Sequence, residues 1–332
     1  MQNKQLISII IASYNHEVFV KQAVESVLNQ SHQDIQVIVV DDGSTDKTPN
    51  VVKQIKDKRL KIIELKENRR FHPRNIGLKS AKGQYIAFQN SDDVWDKSKL
   101  EKQLEYLEQH PKVGAVFTQV KLIDKNGNVL QNTWANNLFD TANKSRIEWL
   151  RRFLTKGNSL CISSALVRKD VLDRVGTFNE SLVQLSDFDM WVRIAAVSEI
   201  YILADELTMM RIVKGKNFSA PSTQSINRAS IELLQVLSRF SQEPIISQMG
   251  KIIPGKLKSF IPSKTIQQGR LIQKCWQIGG PVHLLFATQL GNELLTDPHN
   301  RQILTTFFGT SFIQNYILMK SKIKLDLSNH SK

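Results

Sequence analysis

The chain has 332 residues, 41% of them hydrophobic, and 45 Lys and Arg against 31 Asp and Glu give a formal net charge of +14. That length admits about two domains, and that hydrophobic content admits a sizeable core. Two cysteines far apart, Cys161 and Cys275, exclude a disulfide framework or zinc site and suit a reducing cytosol. No window of 18 apolar residues reads as a spanning helix, and the opening "MQNKQLISIIIASYN" lacks the long apolar run and cleavage site of a signal peptide. The basic balance invites nucleic acid, an anionic membrane or acidic substrates, but no zinc finger, RNA-binding signature or basic zipper is present, which argues against nucleic acid.

In chain order, "LISIIIA" (6–12) is short, β-branched and continuous, the pattern of a buried strand. "VFVKQAVESVLNQ" (18–30) has helical spacing, with Val20, Ala23, Val24, Val27 and Leu28 as its apolar stripe. "IQVIVV" (35–40) is a second strand. "TPNVVKQIKDK" is a helix with Thr48 as its cap and Pro49 in its first turn. "LKIIEL" (60–65) is a third strand. "PRNIGLKSAKG" reads as a helix stopped by Gly83, "QYIAFQ" (84–89) as a fourth strand, and "SKLEKQLEYLEQH" as a helix with Ser98 and Glu101 spaced as a capping box. This alternation predicts a parallel sheet covered on both faces. Beyond residue 113 the order is more mixed. "VGAVFTQVKLID", "LCISSALVR" and "EIYILA" read as strands, and "SRIEWLRRFL" and "DFDMWVRIAAV" as helices. From 221 the chain becomes helical and basic, with Pro244 and Pro254 among its breaks.

Ligands of such sheets bind outside the carboxyl ends of the strands. The residues there are Ser13, Tyr14 and Asn15, then Asp41, Asp42 and Gly43, then Asn90, Ser91, Asp92 and Asp93. Asp, Gly, Ser and Thr in "VDDGSTD" (40–46) suit a turn for backbone reasons alone. They also suit a nucleotide site, where a carboxylate accepts hydrogen bonds from a base or ribose. Asp42 is then the better candidate, with Asp41 turned toward the following helix. Arg74 is a surface charge or a phosphate ligand, since Arg forks onto phosphate. Asp92 and Asp93 are a loop or cap, or a cation site, since Mg²⁺ is typically held by one or two carboxylates plus substrate phosphates. On adjacent loops, a base-binding acid, a phosphate-binding Arg and a metal-binding acid suit a nucleoside diphosphate.

"SIIIASYN" (8–15), "VDDGSTD", "PRNIGLKSAKGQYIAF" (73–88), "NSDDVW" (90–95), "SALVRKDVLDRVGTFNESL" (164–182) and "LSDFDMWVRIA" (185–195) together resemble glycosyltransferase family 2, over about residues 6–215. The resemblance implies a GT-A type α/β fold: a mostly parallel central sheet sandwiched by helices, with a C-terminal helical extension. It implies a nucleotide-sugar glycosyltransferase domain over 1–220 and transfer to an acceptor hydroxyl with inversion, in polysaccharide or glycolipid biosynthesis. The donor would be a UDP-sugar, the acceptor a glycan or lipid-linked molecule, and the cofactor Mg²⁺ or Mn²⁺. Tyr14 and Asp42 would contact the nucleoside, Arg74 the phosphates, Asp92 the metal, and Asp187 would be the catalytic base; Ser91 joins the substrate-binding set. Three positions depart from the family pattern. Asn90 stands for a frequent Asp, Ser186 for a Glu, and Val213 for a His whose charge Lys214 or Lys216 would replace.

Two rivals remain. A sugar-nucleotide pyrophosphorylase needs a Gly-rich loop after the first strand, and "ASYNHEVFV" has no glycine. A non-catalytic nucleotide-sugar-binding or scaffold relative is motivated by Ser186 and Val213. Trp95 and Trp191 read as packing residues, and Trp134 and Trp149 as candidates to line an acceptor cleft. His16, His32, His72 and His110 have no ligand spacing. The segment 221–332 carries 13 Lys and Arg against 5 Asp and Glu. It is expected to be a basic, mainly helical extension, and the protein to be cytoplasmic with peripheral contact at the inner face of the membrane.

Overall fold

The computed structural model describes residues 5–68, 73–131, 133–136, 138–139, 141–213, 217, 219–254 and 263–322. They form two compact units, residues 1–149 with 157–226, and residues 150–156 with 227–332.

The first unit opens with β1 (Ile7–Ser13), α1 (Val20–Leu28), β2 (Ile35–Asp41), α2 (Thr48–Gln54), β3 (Leu60–Glu64), α3 (Pro73–Ser80) and β4 (Tyr85–Asn90). Then come a short β5 (Val94–Trp95), α4 (Lys99–Gln109), β6 (Val113–Ile123), the start of α5 (Arg146–Lys156, whose residues 150–156 belong to the second unit), β7 (Leu166–Arg168), α6 (Lys169–Val175), α7 (Ser186–Val197) and a long β8 (Glu199–Arg211). The eight strands form one sheet in the order β3-β2-β1-β4-β7-β6-β8-β5. The half β3-β2-β1-β4 is parallel throughout, and β6 pairs in parallel with β8. The contacts of β7 with β4 and β6, and of β5 with β8, are antiparallel. β1 and β2 carry β-branched residues on both faces and are buried on both, as strands between two helix layers must be. The stripe Val20, Ala23, Val24, Val27 and Leu28 of α1 enters the same core.

Four local expectations fail for identifiable reasons. Thr48 does not cap α2: the Asp46 carboxylate accepts its N–H at 2.8 Å, so the acid two residues earlier caps the turn. Ser98 and Glu101 form no capping box. Asp96 accepts from the Ser98 N–H at 2.8 Å, and Glu101 accepts from the Ser31 hydroxyl at 2.7 Å. Helix α3 ends at Ser80, and Gly83 is instead a point of close approach, where a Cβ would stand 2.5 Å from the Ser8 nitrogen. "LCISSALVR" is mostly not a strand. Residues 162–164 make a 3₁₀ turn before the three-residue β7, and its serines bond inward, Ser164 Oγ to the Cys161 carbonyl at 2.7 Å. The capping box that does form is Ser145 with Glu148, at the start of α5.

The second unit is helical: the later part of α8 (Thr223–Ser238), α9 (Met249–Ile252), α10 (Lys264–Ile278), α11 (Pro281–Thr296), α12 (Pro298–Phe308) and α13 (Ser311–Lys322). Leu237, Phe240, Met249, Leu271, Leu304 and Phe312 are among its buried residues. Arg151 donates to the Ile252 carbonyl at 2.7 Å, and His283 bonds the Leu154 carbonyl at 2.8 Å, which ties residues 150–156 into it. Among the described residues no helix is long and apolar enough to cross a membrane. Cys161 and Cys275 are buried free thiols.

Candidate active site

The carboxyl ends of β1, β2 and β4 and the start of α7 open onto one cavity of about 440 Å³ in the first unit. Tyr14, Asp42, Arg74, Ser91, Asp92 and Asp187 all line it.

The loops after β1 and β2 are clasped by Asn15. It adopts the left-handed conformation at φ 51°, which Asn tolerates better than most residues. Its Oδ1 accepts from the Thr45 N–H at 2.8 Å, and its own N–H donates to Ser44 Oγ at 2.9 Å. Asp41 is consumed by the turn: Ser44 donates to it through N–H at 2.9 Å and through Oγ at 2.6 Å. Asp42, next along, lines the cavity. Gly43, which follows Asp42, has φ 70°, and a Cβ there would lie 2.4 Å from the Glu67 carbonyl carbon, so the turn needs glycine.

The acid pair after β4 divides in the same way. Asp93 is buried and accepts from Arg211 N–H at 2.9 Å, Asn90 Nδ2 at 3.1 Å and the Ser163 hydroxyl. The Asp92 carboxylate lines the cavity and accepts no side-chain hydrogen bond from the described residues. Burial pushes both acids above the usual carboxylate range, and Asp92 raises Asp93 further. Arg211, the last residue of β8, offsets this crowding from within the protein. It is 1% exposed and donates through Nε to the Asp92 carbonyl at 2.8 Å, through Nη1 to the Asp124 carbonyl at 2.7 Å and through Nη2 to Gln22 at 2.6 Å. Its charge favours the ionised forms of both acids. Among the described residues no three His, Cys, Asp or Glu side chains cluster to hold a metal. Asp92, the cavity-facing member of this pair, nonetheless fits a hard cation that takes most of its ligands from phosphate and water.

Asn75 of α3 tethers the segment that leads toward α7. Its side chain accepts from the Phe178 N–H at 2.9 Å and donates to the Phe178 carbonyl at 3.0 Å. Phe178 stacks edge-on against Phe88 of β4, with centroids 5.2 Å apart. That clamp holds the approach to α7 beside Arg74. Arg74 donates from Nη2 to Asn90 Oδ1 at 2.8 Å, while its buried Nε has no partner among the described residues. Burial lowers the Arg74 pKa, opposed by the charges of Asp187 and Asp93.

Asp187 lies in the first turn of α7, where Oδ1 accepts from the Phe188 N–H at 2.7 Å. A helix N-terminus favours a carboxylate anion, but burial outweighs it and pushes the Asp187 pKa up to about 6. Asp189 points elsewhere, into a 2.8 Å ion pair with Arg193, whose guanidinium also donates to the carbonyls of Val175, Gly176 and Thr177.

Sequence reasoning gave no role to Arg211, Asn75 or His16. His16 lines the cavity with Nδ1 2.7 Å from Ser91 Oγ; its place three residues beyond Ser13, at the end of β1, was the available signal. Trp134 lines the cavity, whereas Trp149, Trp95 and Trp191 are buried. Val213 donates its N–H to Asn217 Oδ1 at 2.6 Å, and Asn217 lines the cavity. His72, Lys214 and Lys216 lie outside the described residues.

An α/β unit with a parallel half-sheet, a mixed half and a nucleotide-sized cavity at the strand ends has the GT-A fold. The chain belongs to glycosyl transferase family 2, whose profile matches residues 8–175. An uncharacterized glycosyltransferase of Methanocaldococcus jannaschii is 29% identical over 65% of this chain and 74% of its own length. A putative teichuronic acid biosynthesis glycosyltransferase of Bacillus subtilis is 45% identical, over 31% of this chain and 42% of its own length. The chain spans 64% of a Haemophilus influenzae glycosyltransferase that is 39% identical over 51% of this chain. Two solved structures share the fold at 19% identity. They are S. aureus TarS residues 1–349 with UDP-GlcNAc (TM-score 0.59, covering 94% of this chain and 81% of that one) and a Pyrobaculum calidifontis mannosyltransferase with GDP-Man and Mn²⁺ (TM-score 0.54, 97% and 87%).

Proposed function

We propose that this glycosyltransferase moves a sugar from a UDP-sugar to an acceptor hydroxyl with inversion, aided by Mg²⁺ or Mn²⁺, in the assembly of a polysaccharide or glycolipid. The observation that carries this reading is the convergence of Asp42, Arg74, Asp92 and Asp187 on one cavity. The UDP-GlcNAc bound by TarS, the Mn²⁺ bound by the mannosyltransferase and the Bacillus relative's name as a putative teichuronic acid biosynthesis glycosyltransferase support it. Residues 1–220 would be the catalytic domain and 221–332 a basic extension that touches the inner face of the membrane.

In this reading Tyr14 and Asp42 hold the nucleoside and Ser91 the donor beside it. Asp92 holds the divalent ion, whose charge, when bound, stabilises the leaving diphosphate. Arg74 adds a fixed positive charge at the same place without reorganisation. Asp187 takes the proton of the attacking hydroxyl, a contribution typically of about 10²–10⁴-fold. A pKa near 6 leaves it ionised at neutral pH yet basic enough to accept a proton. One base suffices for a single inverting displacement.

The test is nucleoside diphosphate release from a panel of UDP- and GDP-sugars with mixed acceptors, with and without metal, followed by the anomeric configuration of the product. Metal-dependent release and an inverted product are expected. Donor binding without release from any donor would leave a non-catalytic relative, the reading that Ser186 and Val213 favour.

A further inference from the structure

A second cavity, of about 580 Å³, lies in the same unit between β6, β8 and the loop after β6. The turn 133–136 walls both cavities: Trp134 lines the first, Ala135 and Asn136 the second. Trp134 is 36% exposed, a large apolar ring held at the edge of a polar site.

The lining of the second cavity is polar but carries no net charge. Lys121 and Glu206 neutralise each other at 3.2 Å. Gln119 and Gln131 present amides that bond no described residue. Asn136 uses its Oδ1 to accept from the Thr133 N–H, and its Nδ2 bonds no described residue. An amide both donates and accepts, which matches a hydroxyl that does the same. A charged ligand would find no counter-charge there, and a purely apolar one would strand the amides.

We propose that this second cavity is a subsite for the distal sugar units of a neutral, polyhydroxylated acceptor, with Trp134 as the stacking face on the way to Asp187. The inference rests on the transferase reading and adds to it the length and the charge of the acceptor.

The probes are neutral N-acetylglucosamine oligomers and cello-oligosaccharides, from the single sugar to the tetrasaccharide, titrated into the full chain with UDP and Mn²⁺. Affinity should rise about tenfold or more with length in at least one series. Gln119→Leu should abolish that gain while leaving UDP affinity unchanged. Gln131→Leu, at an exposed position, repeats the test if the first variant folds poorly. No gain with length, a gain that survives both substitutions, or tighter binding of a phosphorylated oligomer than of its neutral counterpart would each overturn the subsite. UDP release from the donor in the same samples reports on the transferase reading alone, so donor turnover without a length gain sinks only the subsite.

Discussion

At the scale of single residues, the two acids of α7 separate chemistry from structure. Asp187 faces the cavity with its pKa pushed up to about 6, and Asp189 is locked to Arg193. If Asp187 is the base, transfer should fall about tenfold per unit as pH drops below 6, since only the ionised form accepts the proton. Asp187→Asn should lose transfer by orders of magnitude while keeping UDP and metal affinity. The linkage runs the other way for stability. A carboxyl whose folded pKa is raised binds its proton more tightly in the native state, so its favourable contribution is complete below about pH 4 and is lost as pH rises through 6. Asp187→Asn should therefore be no less stable than wild type at pH 7. Asp189→Asn should instead cost about 3 kcal/mol in urea unfolding by breaking a buried pair, and retain turnover at a temperature where the variant is folded. Wild-type turnover in Asp187→Asn would remove the base from this position. The acid pair yields a third expectation: Asp92→Asn should weaken metal-dependent UDP binding, and Asp93→Asn should mainly destabilise the turn that Arg211 and Ser163 hold. Full activity of Asp92→Asn at low metal would contradict the metal role.

At the scale of elements, the loops after β1, β2 and β4 act as a set, and their geometry comes from backbone constraints as much as from side chains. Gly43 is the sharpest case. Gly43→Ala adds a left-handed penalty of about 1–2 kcal/mol and drives a Cβ into the Glu67 backbone at 2.4 Å. The turn should shift Asp42, raising the Kd for UDP by about tenfold or more in calorimetry as well as lowering the melting temperature; unchanged UDP affinity would detach this turn from the nucleotide. The parallel half of the sheet was legible in the sequence because β1, β2 and β4 are continuous apolar runs ending in polar turns, a signal local in the chain. The cavity-facing acids were legible for the same reason. What was not legible depends on long-range partners. Asn75 reads as an ordinary helix residue until its bonds to Phe178, 103 positions away, are known. Arg211 reads as a strand end until its N–H meets Asp93, 118 positions away. The capping errors at Thr48 and Ser98 have a shorter range: Asp46 and Asp96, each two residues upstream, accept the N–H groups of Thr48 and Ser98 themselves.

At the scale of the molecule, the helical unit that follows the α/β unit poses a separate question. The segment 221–332 has an excess of eight basic residues, and its helices leave Phe307 of α12 and Ile317 and Leu318 of α13 exposed, with Lys320 beside them in sequence. Exposed apolar side chains next to lysines match an anionic lipid interface, where the rings and branched chains enter the headgroup layer and the ammonium groups meet lipid phosphates. Each basic residue close to such a surface adds about 1 kcal/mol, and salt screens that contribution over a distance of about 10 Å. Apolar insertion responds to salt far less. The full chain should therefore float with phosphatidylserine-containing liposomes at low salt and largely dissociate at high salt, and it should ignore neutral liposomes. Ile317→Asp with Leu318→Asp should reduce flotation at low salt without altering UDP affinity, because neither residue lines the cavity that holds Asp42 and Asp92. Failure to float at low salt would reduce the unit to a solvated helical cap, whereas flotation that persists in the double variant would assign the contact to charge alone.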